Sequence, residues 1–329
     1  MNTRTKSWIV STVLAVTAAA LTIFAGVSVK NMVKPSSPSA ATEPSGDETL
    51  SPSGSEDPGQ PTEPSSGQDP SEPPTSAPPA PASIRRLTSQ EMVALRELYS
   101  ADHRIYTVTG SRNGKNQPDF AADLSREFAE RFSNVKVFSD AGGNNASLCF
   151  VVENEASYVS RILDILKSLN IRATFFVKFD FVAEHADLCE RILLERHELA
   201  SVGASSPDNG LAIYGLEDQE NDIMTLHNLV KDRFDYTMSK FMYLHDVFTD
   251  LSMAFVTQMG YELWFYSAAY EDHSENGTLN DNRCLLSLEQ QLHPGAVYLM
   301  HAGNPTTARI LPNLVYYIQG QGYTVSKLP

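Results

Sequence analysis

From Ser147 onward, short β-branched or aromatic runs alternate with stretches whose apolar residues recur every three or four positions. The first predict strands and the second amphipathic helices. Strands are expected at Leu148–Val152, Ala173–Val177, Leu199–Val202, Lys240–Leu244, Glu262–Tyr266, Ala296–Met300 and Tyr323–Ser326. Helices are expected at Tyr158–Leu169, Glu184–Glu195, Leu216–Val230, Leu251–Met259 and Thr306–Ile318. Upstream, Thr88 and Glu91 have the spacing of a capping box that opens a helix over Leu87–Tyr99. Phe120, Leu124 and Phe128 place another helix over Asp119–Arg131. Strands separated by helices of 10–15 residues argue for a mainly parallel sheet with βαβ crossovers. About seven such units predict a distorted or open α/β barrel over 84–329, with its core at about 146–329.

Two other patterns precede this domain. Trp8–Val29 is an unbroken run of apolar and small residues between the basic pairs Arg4/Lys6 and Lys30/Lys34. Its 22 residues would reach roughly 33 Å as a helix, enough to cross a bilayer core. It is too long for an ordinary signal-peptide core, and no small-residue cleavage site follows it. Residues 1–34 are therefore expected to form a signal anchor, with a cleaved, secreted form as the alternative. Residues 35–83 hold 13 of the 19 prolines, eight acids and no Lys or Arg. Such a composition cannot bury enough apolar area to order itself and predicts an extended, disordered spacer. The expected placement is a single-pass membrane protein whose C-terminal domain lies outside the cytoplasm.

Charge narrows the partners. The chain carries 25 basic and 40 acidic residues, and 84–329 alone is at −11. A surface of that sign repels phosphates, so nucleic acid is not an expected partner. Cys149, Cys189 and Cys284 have neither disulfide-framework numbers nor zinc-ribbon spacing.

Three stretches carry a family resemblance: ILDILKSLNIRATFFV (162–177), LCERILLERHELASVGASSPD (188–208) and LHPGAVYLMHAGN (292–304) followed by QGYTVSKL (321–328). Together they resemble the polysaccharide deacetylases, carbohydrate esterase family four. RNGKNQPDFAADLSREFAERF (112–132) and WFYSAAYEDH (264–273) add a likeness to the muramic-acid (δ-lactam) de-N-acetylases of that family. The resemblance implies hydrolysis of an N-acetyl group by metal-activated water. In that chemistry an Asp and two His hold the metal, a second Asp is the base and a His is the acid.

Several of these positions are occupied here by residues that cannot do the work. The paired acids after the first strand fall on Val151 and Val152, the two His on Val202 and Ser206, and a base-holding Arg on Met242. His301 falls on the acid and Asp272 on the carboxylate that tunes it, so this pair is expected to be vestigial. No metal or other cofactor is expected, zinc or another divalent ion at a shifted His245/Asp246/Asp272/His301 site being the alternative. Cys149 with His301 would offer a thiol nucleophile, but a small core residue explains Cys149 more simply. Trp264 and Tyr270 are expected to line a sugar-stacking cleft. The resemblance and the replaced residues predict a pseudoenzyme that binds or organises peptidoglycan, a related N-acetylated glycan or a cell-wall partner. An active deacetylase with a non-standard site and a protein-interaction module of wall or sporulation machinery are the alternatives.

Overall fold

The computed structural model describes residues 83–132, 134–139, 143–153, 155–270 and 279–329. The expected anchor and all of the expected spacer but Ser83 lie outside these residues, and so does Asp272. Among the described residues no helix is long and apolar enough to cross a membrane.

Eleven strands occur among the described residues: β1 (Arg104–Ile105), β2 (Val135–Lys136), β3 (Asn145–Val152), β4 (Thr174–Val177), β5 (Glu198–Ser201), β6 (Lys240–Phe241), β7 (Val247–Phe248), β8 (Glu262–Trp264), β9 (Ala268–Ala269), β10 (Ala296–His301) and β11 (Thr324–Ser326). The helices are α1 (Ser89–Leu98), α2 (Asp119–Arg131), α3 (Val159–Ser168), α4 (Phe179–Glu184), α5 (Ala186–Leu194), α6 (Leu216–Phe234), α7 (Asp250–Gln258), α8 (Asp281–Gln290) and α9 (Pro305–Gly320). Nine strands form one sheet in the order β2-β8-β6-β5-β4-β3-β10-β9, with β11 beside the first half of β3. Every pairing in it is parallel. β1 and β7 make a separate antiparallel ribbon.

Packing shows that this sheet is curled. Val297 on β10 and Trp264 on β8 stand far apart in strand order, yet both belong to one buried cluster with Cys149, Val151, Phe176, Ala200 and Met242. The cluster holds residues of the strands and of the segments that follow them and none from a helix, yet it is buried, so this face is covered by the curl of the sheet around an apolar interior. The opposite face packs on helices: Leu148, Phe150 and Val152 join Ile162, Leu163 and Leu166 of α3 and Leu311, Leu314 and Val315 of α9. β3 is covered on both faces, which is why its eight residues are all buried and its sequence reads as a run without polar alternation. The expected open barrel is thus found as a parallel half-barrel with more strands than the seven anticipated.

Local chemistry accounts for the element ends. Thr88 accepts the Glu91 N–H at 3.3 Å, while the Glu91 carboxylate accepts the Thr88 N–H at 2.7 Å, completing the capping box. The helix expected over Glu184–Glu195 is α5, and an unanticipated α4 precedes it, set apart because His185 leaves helical geometry at φ −124° and ψ 52°. α8 was not expected; Asn280 caps it by accepting the Arg283 N–H at 3.0 Å. At the N-terminal end of the half-barrel, Lys240 lies 2.9 Å from Glu198, whose other oxygen accepts from Thr174 Oγ1 at 3.0 Å. This buried pair closes the bottom of the interior with its hydrogen bonds satisfied, as a buried charge requires. Upstream, Arg104 bridges Glu127 of α2 and Asp250 of α7, fastening the leading segment to the sheet domain.

Candidate functional site

Parallel sheets place their ligand crevices at the carboxyl ends of the strands. Here that end is formed by Val151–Glu153 after β3, Lys178 after β4, Ser201–Ser206 after β5, Met242–Asp246 after β6, Phe265–Tyr266 after β8 and His301 on β10.

Its floor is apolar. Val151, Val202 and Met242 meet in the interior cluster at 1%, 0% and 1% exposure, with Leu244 and Trp264 beside them. Val152 points the other way, into the helix-covered core. Ser206 is buried, and its carbonyl lies 3.4 Å from His245 Nε2. Valine and methionine offer a hard divalent ion no oxygen or imidazole, and a zinc site needs about four such donors. Among the described residues no three His, Cys, Asp or Glu side chains gather to hold a metal. These floor residues therefore do not fit the ion the resemblance implies, and no chemical step is derived through it.

His301 stands in register with Val151 on the neighbouring strand, so it shares the inward face. It is partly buried, and burial lowers its pKa below the ordinary value, with Glu153 pulling up and His245 pushing down. Its carbonyl accepts the Thr307 hydroxyl at 2.8 Å. The proposed partner Asp272 lies outside the described residues. Cys149 is fully buried in the interior, and burial drives its thiol pKa well up. It is paired in register with Leu299, two residues short of His301. A buried thiol so far from ionising is a core residue.

Both aromatic assignments need correction. Trp264 is 2% exposed inside the half-barrel, and its Nε1–H donates to Glu262 at 3.3 Å. Tyr270 is 7% exposed in the helix-covered core, its hydroxyl 2.7 Å from Thr307 Oγ1. A sugar-stacking platform must show a ring face to solvent, and both rings are enclosed by packing.

Three features of the rim were not legible in the sequence. The first is a clamp on the loop after β5: Asp222 of α6 accepts the Ala204 N–H at 2.7 Å, the Ser205 N–H at 2.9 Å and the Ser205 hydroxyl. Gly203 makes room for it, since a Cβ there would stand 2.3 Å from Asp222 Oδ1. Hydrogen bonds to a charged acceptor contribute about 1.5–3 kcal/mol each, so Asp222→Ala is expected to cost roughly 2–4 kcal/mol after partial rehydration of the loop. A urea midpoint unchanged from that of the unsubstituted protein would show that the clamp contributes nothing.

The second feature is the ion pair Lys178–Glu153 at 3.4 Å, which joins the ends of β4 and β3. The third is the turn after β6. His245 and Asp246 are both left-handed, at φ 66° and 60°. That conformation costs a non-glycine residue about 1–2 kcal/mol. The turn is held by the Tyr106 N–H on the Asp246 carbonyl at 2.7 Å and by the Tyr266 hydroxyl on the Asp246 carboxylate at 2.6 Å. Tyr106 also donates its hydroxyl to the Tyr266 carbonyl. Burial raises the Asp246 pKa, and the Tyr266 hydrogen bond and His245 lower it. His245 and Asp246 are adjacent in sequence, but the hydroxyl that holds Asp246 comes from twenty residues away.

Known proteins match this arrangement. The sequence profile described as polysaccharide deacetylase matches residues 140–264. An uncharacterised 30.6 kDa protein from the fumA 3′ region of Geobacillus stearothermophilus is 26% identical over 220 residues, 66% of this chain and 81% of that one. The peptidoglycan-N-acetylmuramic acid deacetylase PdaA of Bacillus subtilis is 27% identical over 178 residues, 53% of this chain and 66% of its own length. Its solved structure, a family 4 carbohydrate esterase, superposes with a TM-score of 0.63 at 22% identity, covering 69% of this chain and 96% of that one. BA3943 of Bacillus anthracis, a pseudoenzyme of the same family, superposes at 0.55 with 19% identity over 60% of this chain and 69% of its own. At these identities the two superpositions speak for the fold, and the profile names the family. Residues 140–264, which supply most of the half-barrel's strands and the turn at Asp246, are the part of this chain that matches the polysaccharide deacetylase family.

Proposed function

We propose that this protein is a non-hydrolytic polysaccharide deacetylase homologue, held at the membrane by residues 1–34 with its domain outside the cytoplasm. There it binds or organises peptidoglycan or a related N-acetylated glycan. The observation that carries this reading is the floor of the half-barrel, where Val151, Val202 and Met242 pack together at the strand ends. The resemblance assigns those positions to one of the paired acids, one metal-ligating His and the base-holding Arg. An acid alone supplies about 10²–10⁴-fold, well short of amide hydrolysis. On this reading His301 and Asp272 are a remnant of the acid pair. The names of relatives support a glycan partner: PdaA acts on peptidoglycan N-acetylmuramic acid, and PgdA of Listeria monocytogenes on its N-acetylglucosamine. BA3943 supports the loss of activity as an outcome within this fold.

The test is retention of the 329-residue chain, in detergent, on insoluble peptidoglycan, with acetate release followed in the same tube. Retention above a control protein of equal charge, without acetate, is expected. Metal-dependent acetate release that disappears in His301→Ala would replace this reading with an active deacetylase. No retention and no acetate would leave the protein-interaction module.

A further inference from the structure

The turn after β6 acts on the remnant acid pair only through the charge of His245 on His301, yet it holds a strained, two-residue left-handed conformation against the open end of the half-barrel. That conformation has a result: it lays the Asp246 carboxylate against Tyr266, at the edge of the floor made by Leu244 and Trp264. One carboxylate oxygen accepts the Tyr266 hydroxyl. No side chain or backbone donor among the described residues reaches the other, and that oxygen is not sealed from solvent. His245 stands exposed beside it. Lys178, the cation that follows β4, is already paired with Glu153.

We infer that Asp246 is the hydrogen-bond acceptor of a subsite for neutral N-acetylated sugars, its open oxygen taking a sugar hydroxyl or acetamido N–H at the open end of the half-barrel. This deepens the glycan-binding reading and rests on it. Half-buried carboxylates accept strong hydrogen bonds from such donors because the acceptor is ionised and its surroundings are poor in water. The same charge refuses a sugar that brings its own carboxylate, and the −11 of the domain adds to the repulsion at longer range. Specificity thus falls on N-acetylglucosamine-like units and against acidic ones at this position. Among the described residues no third metal ligand joins His245 and Asp246, and Asp272 lies outside them.

The experiment is calorimetric titration of the 329-residue chain in detergent with chitotetraose and with tetragalacturonate, a neutral and an acidic tetramer. Chitotetraose is expected to bind and tetragalacturonate to bind at least roughly tenfold more weakly, the scale of one charge-assisted contact. Asp246→Asn keeps the shape, loses the charge, and is expected to weaken chitotetraose binding roughly tenfold and to narrow the gap between the two probes. Tyr266→Phe leaves the carboxylate in place and is expected to stay within a factor of about three. Equal binding of chitotetraose by Asp246→Asn and the unsubstituted chain would overturn the subsite while leaving glycan binding intact. So would equal affinity for the two tetramers in the unsubstituted chain, a comparison that needs no variant to fold. Binding of neither tetramer, together with no retention on peptidoglycan, would overturn the glycan reading itself.

Discussion

The 329-residue chain carrying Val151→Asp, Val202→His and Ser206→His together is expected to keep about one zinc per chain after desalting, where the unsubstituted protein keeps none above background. An Asp and two His are a sufficient donor set for zinc when a fourth position is left to water. Val151 and Val202 already share the interior cluster, and Ser206 is buried where the loop after β5 crosses the strand ends. The Asp222 clamp fixes that loop before any metal arrives. The stability readout separates a built site from adventitious binding. Without metal, an ionised Asp at position 151 would sit among Cys149, Phe176, Ala200 and Met242 with no partner. A lone buried charge costs about 3–5 kcal/mol, so the metal-free variant should melt about 10 °C lower. Zinc should restore most of that difference, because only the folded chain assembles the three ligands. A variant that melts lower and ignores zinc would show that the three positions do not converge. Stoichiometric zinc in the unsubstituted protein would sink the non-hydrolytic reading instead.

What the chain disclosed beforehand follows a physical line. β3, α3 and β4 lie within three residues of their expected spans, and α2 coincides with Asp119–Arg131, because each is a buried run or a stripe of strict period. β2 and β9 have two residues each, too few for any periodicity, and their identity as strands comes from neighbours distant in sequence. β6 and β8 end at Phe241 and Trp264, before the expected Leu244 and Tyr266, because the chain bends there to cover the open end. The site divides similarly. That Val151, Val202 and Met242 belong to one pocket was readable only through the family resemblance, and the packing brings them together. Trp264 and Tyr270 were misread because an aromatic at a strand end does not announce which side will enclose it. The Asp222 clamp and the Tyr266–Asp246 contact join residues 17 and 20 positions apart and leave no local trace.

Acid should unfold this protein sooner than its carboxylates alone would dictate, because two imidazoles are buried in neutral form. His197 is 5% exposed, and its Nδ1 accepts the Ala173 N–H at 3.1 Å, which fixes the proton on Nε2. Nε2 stands 3.9 Å from Glu195. Protonating Nδ1 would break the bond to Ala173 and bury a charge. Burial pushes the pKa to about 4; Glu195 raises it, while Arg172, Arg191 and Lys327 lower it. His293 is fully buried, edge-on to Phe138, with Nδ1 3.0 Å from the Pro294 carbonyl, and burial takes it to about 4 as well, with Arg112 also lowering it. In the unfolded chain both return to about 6.5, so between there and 4 the unfolded state binds protons that the folded state refuses. Stability therefore falls as pH drops through 6.5 and stops falling on this account near 4. At pH 4 the loss is about 3 kcal/mol for each imidazole, from roughly 1.4 kcal/mol per pKa unit. Paired carboxylates such as Glu127, held below their ordinary value first by the Arg104 hydrogen bond, lose their contribution only as pH falls below that ordinary value, so their share begins at the acid end of this window. Urea midpoints at pH 7, 5.5 and 4 should show the decline, and His197→Gln, whose amide oxygen can still accept from Ala173, should halve it. Parallel profiles for the variant and the unsubstituted chain would mean that His197 takes up its proton at the same pH in the folded and the unfolded chain, and would overturn the assignment.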